Sequence, residues 1–268
     1  MLRKVLVACL VLLLTTFAAA QMEMRGTLSQ IQEVNPVSQE PVVSLKTATP
    51  EQLELRGDQL RDIKDYLDAL DYYEAAIKKH PTAILHNKIG MTYLSMGNLG
   101  KAEKSMKRAV KTDKDYAEAY NNLGVIYYLK KKWGPAEKNY KKALALQESA
   151  SFHSNLGTVY MERKQYDKGM VEYTRAYQLD PGIFERTSRT GVSARMSSPE
   201  DRARYYYFLA KLFAANGKLD DSLQYLRRAM EDGYSGIDSV YKDAEFANLR
   251  KDQRFTELMA QRPAAIPQ

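Results

Sequence analysis

Side chains suited to catalysis or metal binding are sparse in this sequence. It has three histidines, His80, His86 and His153, and one cysteine, Cys9. A hydrolytic zinc site needs two imidazoles and a carboxylate on one helix face, as in His-Glu-x-x-His, and no such pattern occurs. There is also no Gly-rich phosphate loop ending in Lys-Ser/Thr and no Gly-x-Ser-x-Gly turn to present a nucleophile. The acid pairs Glu51 with Glu54 and Asp220 with Asp221 sit where helices are expected to begin, and acids there complement the helix dipole. An active site needs convergent groups. None are visible here, so the sequence predicts a protein that is not an enzyme and carries no cofactor or metal, with an enzyme whose paired carboxylates come from distant positions as the remote alternative.

The charge pattern is more pronounced. Residues 78–142 contain fifteen Lys/Arg against five Asp/Glu. Lys101, Lys104, Lys107, Arg108 and Lys111 recur at three to four residues, opposite an apolar stripe of Ala102, Met106 and Ala109. Such a stripe of cations reads first as a solvated outer helix face. Its alternative use is contact with an anionic surface, either lipid headgroups or acidic envelope polymer. The whole chain, with 40 Lys+Arg against 33 Asp+Glu, is only mildly basic at +7. That is short of the clustered arginines of a nucleic-acid binder, and no nucleic-acid partner is expected.

The elements that position these residues repeat along the chain. Gly57, Gly90, Gly124 and Gly157 are spaced by 33, 34 and 33 residues. Twelve residues beyond each lies a small residue (Ala69, Ala102, Ala136, Gly169), and nineteen beyond lies an alanine (Ala76, Ala109, Ala143, Ala176). Between them fall Tyr73, Met106, Tyr140 and Tyr173. These spacings give each unit two amphipathic helices, A then B, whose small residues let the backbones approach closely. Turns are marked by Met96-Gly97-Asn98, Lys132-Trp133-Gly134-Pro135 and Arg163-Lys164-Gln165. One helix pair cannot bury both its faces, so the units must stack.

The pattern resembles the tetratricopeptide repeat (TPR) family, most clearly at Tyr120, Leu123-Gly124, Tyr127, Ala136, Tyr140 and Ala143. The family's tryptophan position is filled by Leu53, His86, Tyr120 and His153, so packing is the expected role of the latter two histidines. The resemblance implies an all-α, right-handed α-solenoid of stacked antiparallel helix pairs. Four units are expected at residues 50–82, 83–116, 117–149 and 150–183, with a divergent fifth at 202–236 and a C-terminal cap and tail at 237–268. Solenoids of this kind hold proteins or peptides on a concave face. At 100° per residue, the positions turned away from helix B are Ile84, Lys88, Met91 and Ser95, then Glu118, Asn122, Val125 and Leu129, then Ser151, Asn155, Thr158 and Glu162. Asn122 and Asn155 share one repeat position. In the family an asparagine there contacts the backbone of the bound peptide, and bonding between neighbouring repeats is its other use. The family's clamp for a free C-terminus needs Lys and Arg where this chain has Ser151 and Asn155, so that specificity is not expected.

The flanks differ in composition. Arg3 and Lys4 precede an apolar run from Val5 to Phe17, then Ala18-Ala19-Ala20. Residues 1–20 therefore read as a secretory signal peptide cleaved after Ala20, which predicts a periplasmic or secreted protein. An uncleaved anchor fits less well, because a bilayer-spanning helix takes about 20 apolar residues. Leu6-Val7-Ala8-Cys9 resembles a lipobox, but too little apolar chain precedes it. Residues 21–49 are polar and aperiodic, as in a flexible tether. Thr49-Pro50-Glu51-Gln52 has the form of a capping box that opens the first helix. Residues 185–201 break the period as an irregular connection, and Pro199 reopens a helix. The expected role is a protein-interaction scaffold or adaptor in the cell envelope.

Overall fold

In the computed structural model, residues 43–184 and 198–265 are described. The expected signal segment at 1–20, most of the expected tether and most of the expected irregular connection lie outside the described residues. Among the described residues there is no strand. Helices α1 (Pro50–Asp62) and α2 (Tyr66–Lys79) form the first pair, α3 (Ala83–Ser95) and α4 (Leu99–Thr112) the second, and α5 (Ala117–Leu129) and α6 (Trp133–Leu146) the third. The fourth pair is α7 (Ala150–Glu162) and α8 (Tyr166–Leu179), and the fifth is α9 (Pro199–Ala215) and α10 (Leu219–Glu231). Three 3₁₀ turns (Ile237–Tyr241, Ala244–Phe246, Leu249–Lys251) and α11 (Gln253–Ala260) follow. The pairs are antiparallel and stack in chain order, which makes the fold an all-α solenoid.

The repeating glycines explain how each pair closes. A Cβ on Gly57, Gly90, Gly124 or Gly157 would come within 2.5 to 2.8 Å of the buried Tyr73, Met106, Tyr140 or Tyr173 respectively, closer than real Cβ atoms approach. Glycine lets the helix B side chain lie directly on the helix A backbone. Ala69, Ala76, Ala102, Ala109, Ala136, Ala143 and Ala176 are all fully buried around this contact.

Each A–B turn is built alike. One residue takes a left-handed conformation, Lys64, Gly97, Lys131, Lys164 and Gly217 in turn, with φ between 56 and 74°. The next N–H then reaches back five residues, as from Asn98 to the Tyr93 carbonyl or from Lys132 to the Tyr127 carbonyl, both 2.8 Å. This is a Schellman cap, which satisfies carbonyls that the helix end leaves open. The third turn is therefore Lys130-Lys131-Lys132, whereas Trp133-Gly134-Pro135 already forms the first turn of α6. Proline is tolerated there because first-turn N–H groups have no helical partner. At the start of α1, Thr49 Oγ1 accepts from Gln52 N (3.3 Å) and Gln52 Oε1 accepts from Thr49 N (3.0 Å), which completes the capping box.

The fifth pair docks on the fourth through aromatic rings. Tyr173 and Tyr205 have centroids 5.0 Å apart, and Tyr177 meets Phe213 edge-on at 5.5 Å. Its far side is covered by Val240, Phe246, Leu249, Phe255 and Leu258, all buried in one core with Phe213 and Leu226. Tyr207 donates to Asp243 (2.8 Å), and Lys211 pairs with Asp243 and Glu245. The terminal apolar face, which stacking would otherwise leave open, is thus closed by the chain itself.

Candidate functional site

Two surfaces carry the residues that the sequence singles out. The first is the layer of A helices. From α3 onward, successive A helices approach one another more closely than successive B helices do, so the A layer is the inner one. Its side chains bond along the stack in a repeating way. Lys88 donates to Glu54 (2.6 Å) and Asp58 (2.5 Å) of the first repeat. Asn122, one repeat later at the same position, donates to Asn87 (2.9 Å), and Asn155 donates to Asn121 (2.9 Å). Asn121 also donates to Asn122, at 3.4 Å. Residues at one repeat position therefore reach back to Glu54, Asn87 and Asn121, which share the position just before it. That acceptor row was missed in the sequence, although its 33- and 34-residue spacing was available as a signal.

The anticipated groove residues divide accordingly. Asn122 is 6% exposed and Val125 1%, and Val125 packs in the core with Leu94, Ile126, Tyr140 and Leu156. Thr158 is buried too, with its hydroxyl against the Ser154 carbonyl (3.0 Å) and the Tyr173 hydroxyl (3.1 Å). Val125 and Thr158 therefore do not line an open surface, because they follow the glycines and face the helix B ring that the glycine admits. The amides of Asn122 and Asn155 are engaged between repeats. Glu118, Ser151, Met91 and Lys88 are half-buried. Glu162, also half-buried, accepts a hydrogen bond from Tyr128 (3.0 Å), and Ser95 is exposed. Ile84 (49%) and Leu129 (40%) are exposed, as is Leu55 (61%) on α1, the first of the A helices.

A second periodic set ties each B helix to the next A helix. Glu103 accepts from Lys107 (2.6 Å), Tyr127 (3.1 Å) and Lys130. Glu137, one repeat on, accepts from Lys141 (2.7 Å), Tyr160 (3.3 Å) and Arg163. The hydrogen bonds from Lys107 and Lys130 hold the Glu103 carboxyl down to about 2. At Glu137, burial pushes upward but the bonds and charges of Lys141 and Arg163 win, and its carboxyl is also lowered.

The second surface is the basic face. Lys101, Lys104, Lys107, Arg108 and Lys111 all lie on α4, but they are not equivalent. Lys107 is drawn to Glu103, and Lys111 stands apart near the helix end. Lys101, Lys104 and Arg108 edge a cleft of about 360 Å³ between α2 and α4, floored by α3. His86 lines it. Its pKa is lowered by burial and by the neighbouring Arg108. His153, at the equivalent place in the fourth repeat, is bonded to Glu172 (2.6 Å). Among the described residues no group of three His, Cys, Asp or Glu is placed to hold a metal ion, and no helix is long and apolar enough to cross a membrane.

Tetratricopeptide repeat family models match residues 81–149, 150–183 and 203–231. Among solved structures, the chain is similar to MamA, at 25% identity over 66% of this chain and 93% of that one, with a TM-score of 0.47. It is similar also to a thermophilic TPR protein of Thermus thermophilus, at 23% identity over 79% and 100%, with a TM-score of 0.47. A third is the first TPR of Spaghetti (RPAP3) bound to an HSP90 peptide, at 20% identity over 43% and 96%, with a TM-score of 0.42. None of the curated proteins matches the chain.

Proposed function

We propose that this chain of tetratricopeptide repeats is a non-enzymatic scaffold that holds a protein or peptide partner on the inner face of its A helices, after export to the cell envelope. The observation that carries the reading is the exposure of Leu55, Ile84 and Leu129 on three A helices in succession, α1, α3 and α5. Large apolar side chains left in water along one layer favour a partner that covers them. The polar rows beside them, Lys88 with Glu54 and Asp58 and then the asparagine chain, tie each inner helix to the last and keep the face rigid. A rigid, preformed face loses little entropy on binding. Export is supported by the signal-like order of residues 1–20, basic then apolar then small. N-terminal sequencing of the native protein would then begin at or near Gln21, and a start at Met1 would overturn export.

The binding reading is tested by placing a photo-crosslinking residue at Ile84 or Leu129 in cells, with Val171 on α8 as the exposed control. Discrete adducts with another protein are expected at the two inner positions and not at Val171. Adducts only at Val171, or the same adducts at all three, would overturn it.

A further inference from the structure

The three junctions that join the first four repeats share one plan on their outer side, where two B helices flank an A helix. In the third junction, His153 on α7 is bonded to Glu172 (2.6 Å) and lies 3.6 Å from Glu148, and Arg175 donates to Glu148 at 2.7 Å. Two carboxylates of the chain therefore satisfy one imidazole and one guanidinium. In the second junction the imidazole position is Tyr120, and Lys142, at the guanidinium position, lies 5.7 Å from its ring centre. That junction is closed by a cation over an aromatic face.

The first junction keeps the cationic half of the third and lacks the other half. His86 and Arg108 occupy the places of His153 and Arg175. Lys101 lies 5.1 Å over the Tyr93 ring, as Lys168 lies 5.6 Å over Tyr160. The two carboxylates are missing, because Ser105 stands at the place of Glu172 and Pro81 at that of Glu148. A cleft of about 360 Å³ lies there instead. Lys78, Lys104 and Arg108 line it, and none of them has an ion-pair partner among the described residues. Glu74 is the one carboxylate in the lining. The apolar part of the lining is the α3 floor, Ile89 and the Tyr93 ring, with Ile77 of α2 beside it.

We propose that this cleft binds an acidic segment of a partner protein, seating one side-chain carboxylate on His86 and Arg108 and a second beside Lys78 and Lys104. The chain's own third junction shows the chemistry that fits, since protein carboxylates fill it. The size and apolar floor suit a side chain with its methylene stem, and the unpaired rim cations supply the complementary field. This site is on the opposite side of the repeat from the inner face and does not depend on it.

The test uses the full chain and a fluorescein-labelled hexaglutamate peptide, with binding read by anisotropy at low and physiological salt. Binding is expected, weakening as salt rises, with an upward shift of the His86 titration seen by NMR as a carboxylate arrives. Lys104→Glu with Arg108→Glu should reduce affinity at least tenfold. Lys138→Glu with Lys142→Glu, an equal charge change one junction along, should leave it within about twofold. Ser105→Glu restores the carboxylate of the third junction from within and should abolish binding. Should that variant fail to fold, the exposed charge reversals still decide. Equal losses in the two double variants would mean a diffuse charge effect, and no binding would mean no site; either result overturns the proposal. So would binding of phosphatidylglycerol vesicles, sensitive to Lys104 and Arg108, in the absence of peptide binding, because the occupant would then be a lipid headgroup.

Discussion

Replacing Tyr140 by Phe is expected to stabilise the protein, whereas the same change at Tyr73 or Tyr173 is expected to weaken it. All three rings are buried at one repeat position on helix B, and each lies against the repeat glycine of its own helix A. The residue that follows that glycine differs. In the first repeat it is Asp58, which accepts the Tyr73 phenol hydrogen at 2.7 Å. In the fourth it is Thr158, 3.1 Å from the Tyr173 hydroxyl. In the third it is Val125, and the Tyr140 hydroxyl is buried with no hydrogen-bond partner among the described residues. Burial pushes the Tyr140 phenol far above its ordinary range, so it stays neutral. A neutral hydrogen bond is worth about 1 kcal/mol net, and one to a charged group about 1.5 to 3 kcal/mol. Tyr173→Phe should therefore cost about 1 kcal/mol, and Tyr73→Phe somewhat more. Tyr140→Phe loses no bond and removes an unsatisfied polar atom, for a gain of about 1 kcal/mol after allowing for the small void left. In a domain of this size that is a shift of roughly 2 to 4 °C in melting temperature. Val125→Thr supplies the hydroxyl that Thr158 supplies one repeat later. In that background Tyr140→Phe should change sign and become destabilising. Thermal and urea melts of the two single variants and the double variant measure the coupling directly. If Tyr140→Phe costs as much as Tyr173→Phe, the hydroxyl is satisfied and the reasoning fails.

Gly124→Ala should destabilise by about 1 to 3 kcal/mol, since its Cβ would sit 2.5 Å from the Tyr140 ring and a packed core yields little; a urea melt matching the parent chain would refute this. Glu103→Gln should lower stability by about 1 kcal/mol at neutral pH. The Glu103 carboxyl is held at about 2 against an ordinary 4.5, so its contribution is full above about pH 4.5 and lost as pH falls through about 2. The two melting curves, compared across that window, should converge at its acid end.

The fold was legible because it depends on steric demands that recur. Only glycine admits a large side chain directly against the helix backbone, so Gly57, Gly90, Gly124 and Gly157 could be read as a register without knowing what they touch. The first cap was legible for a similar local reason, since Thr49 and Gln52 bond only across one turn. The surfaces were harder to read. The 100° rule says which way a side chain leaves its helix, but how near the next helix stands is a property of the stack. Asn122 and Asn155 share a repeat position as expected, yet the adjacent A helix is close enough to take their amides, through Asn87 and Asn121. Val125 and Thr158 lie on the same nominal face and are closed over by the packing that their neighbouring glycines allow. The basic stripe was read along one helix, whereas the cleft draws on three, joining Lys78 of α2 and His86 of α3 to the cations of α4.

A repeat protein offers a way round this difficulty, because each unit serves as a control for the others. Glu103 and Glu137 perform the same task one repeat apart, which marks that contact as part of the architecture. Departures from such a pattern carry more information than its recurrences. Val125, set where the first and fourth repeats place Asp58 and Thr158, leaves the Tyr140 hydroxyl, inside the protein, unpaired among the described residues. Ser105 and Pro81, set where the third junction places Glu172 and Glu148, leave cations unpaired at its surface. The first vacancy is sealed from any partner and can only cost stability. The second opens to solvent, where a carboxylate from another chain can fill it.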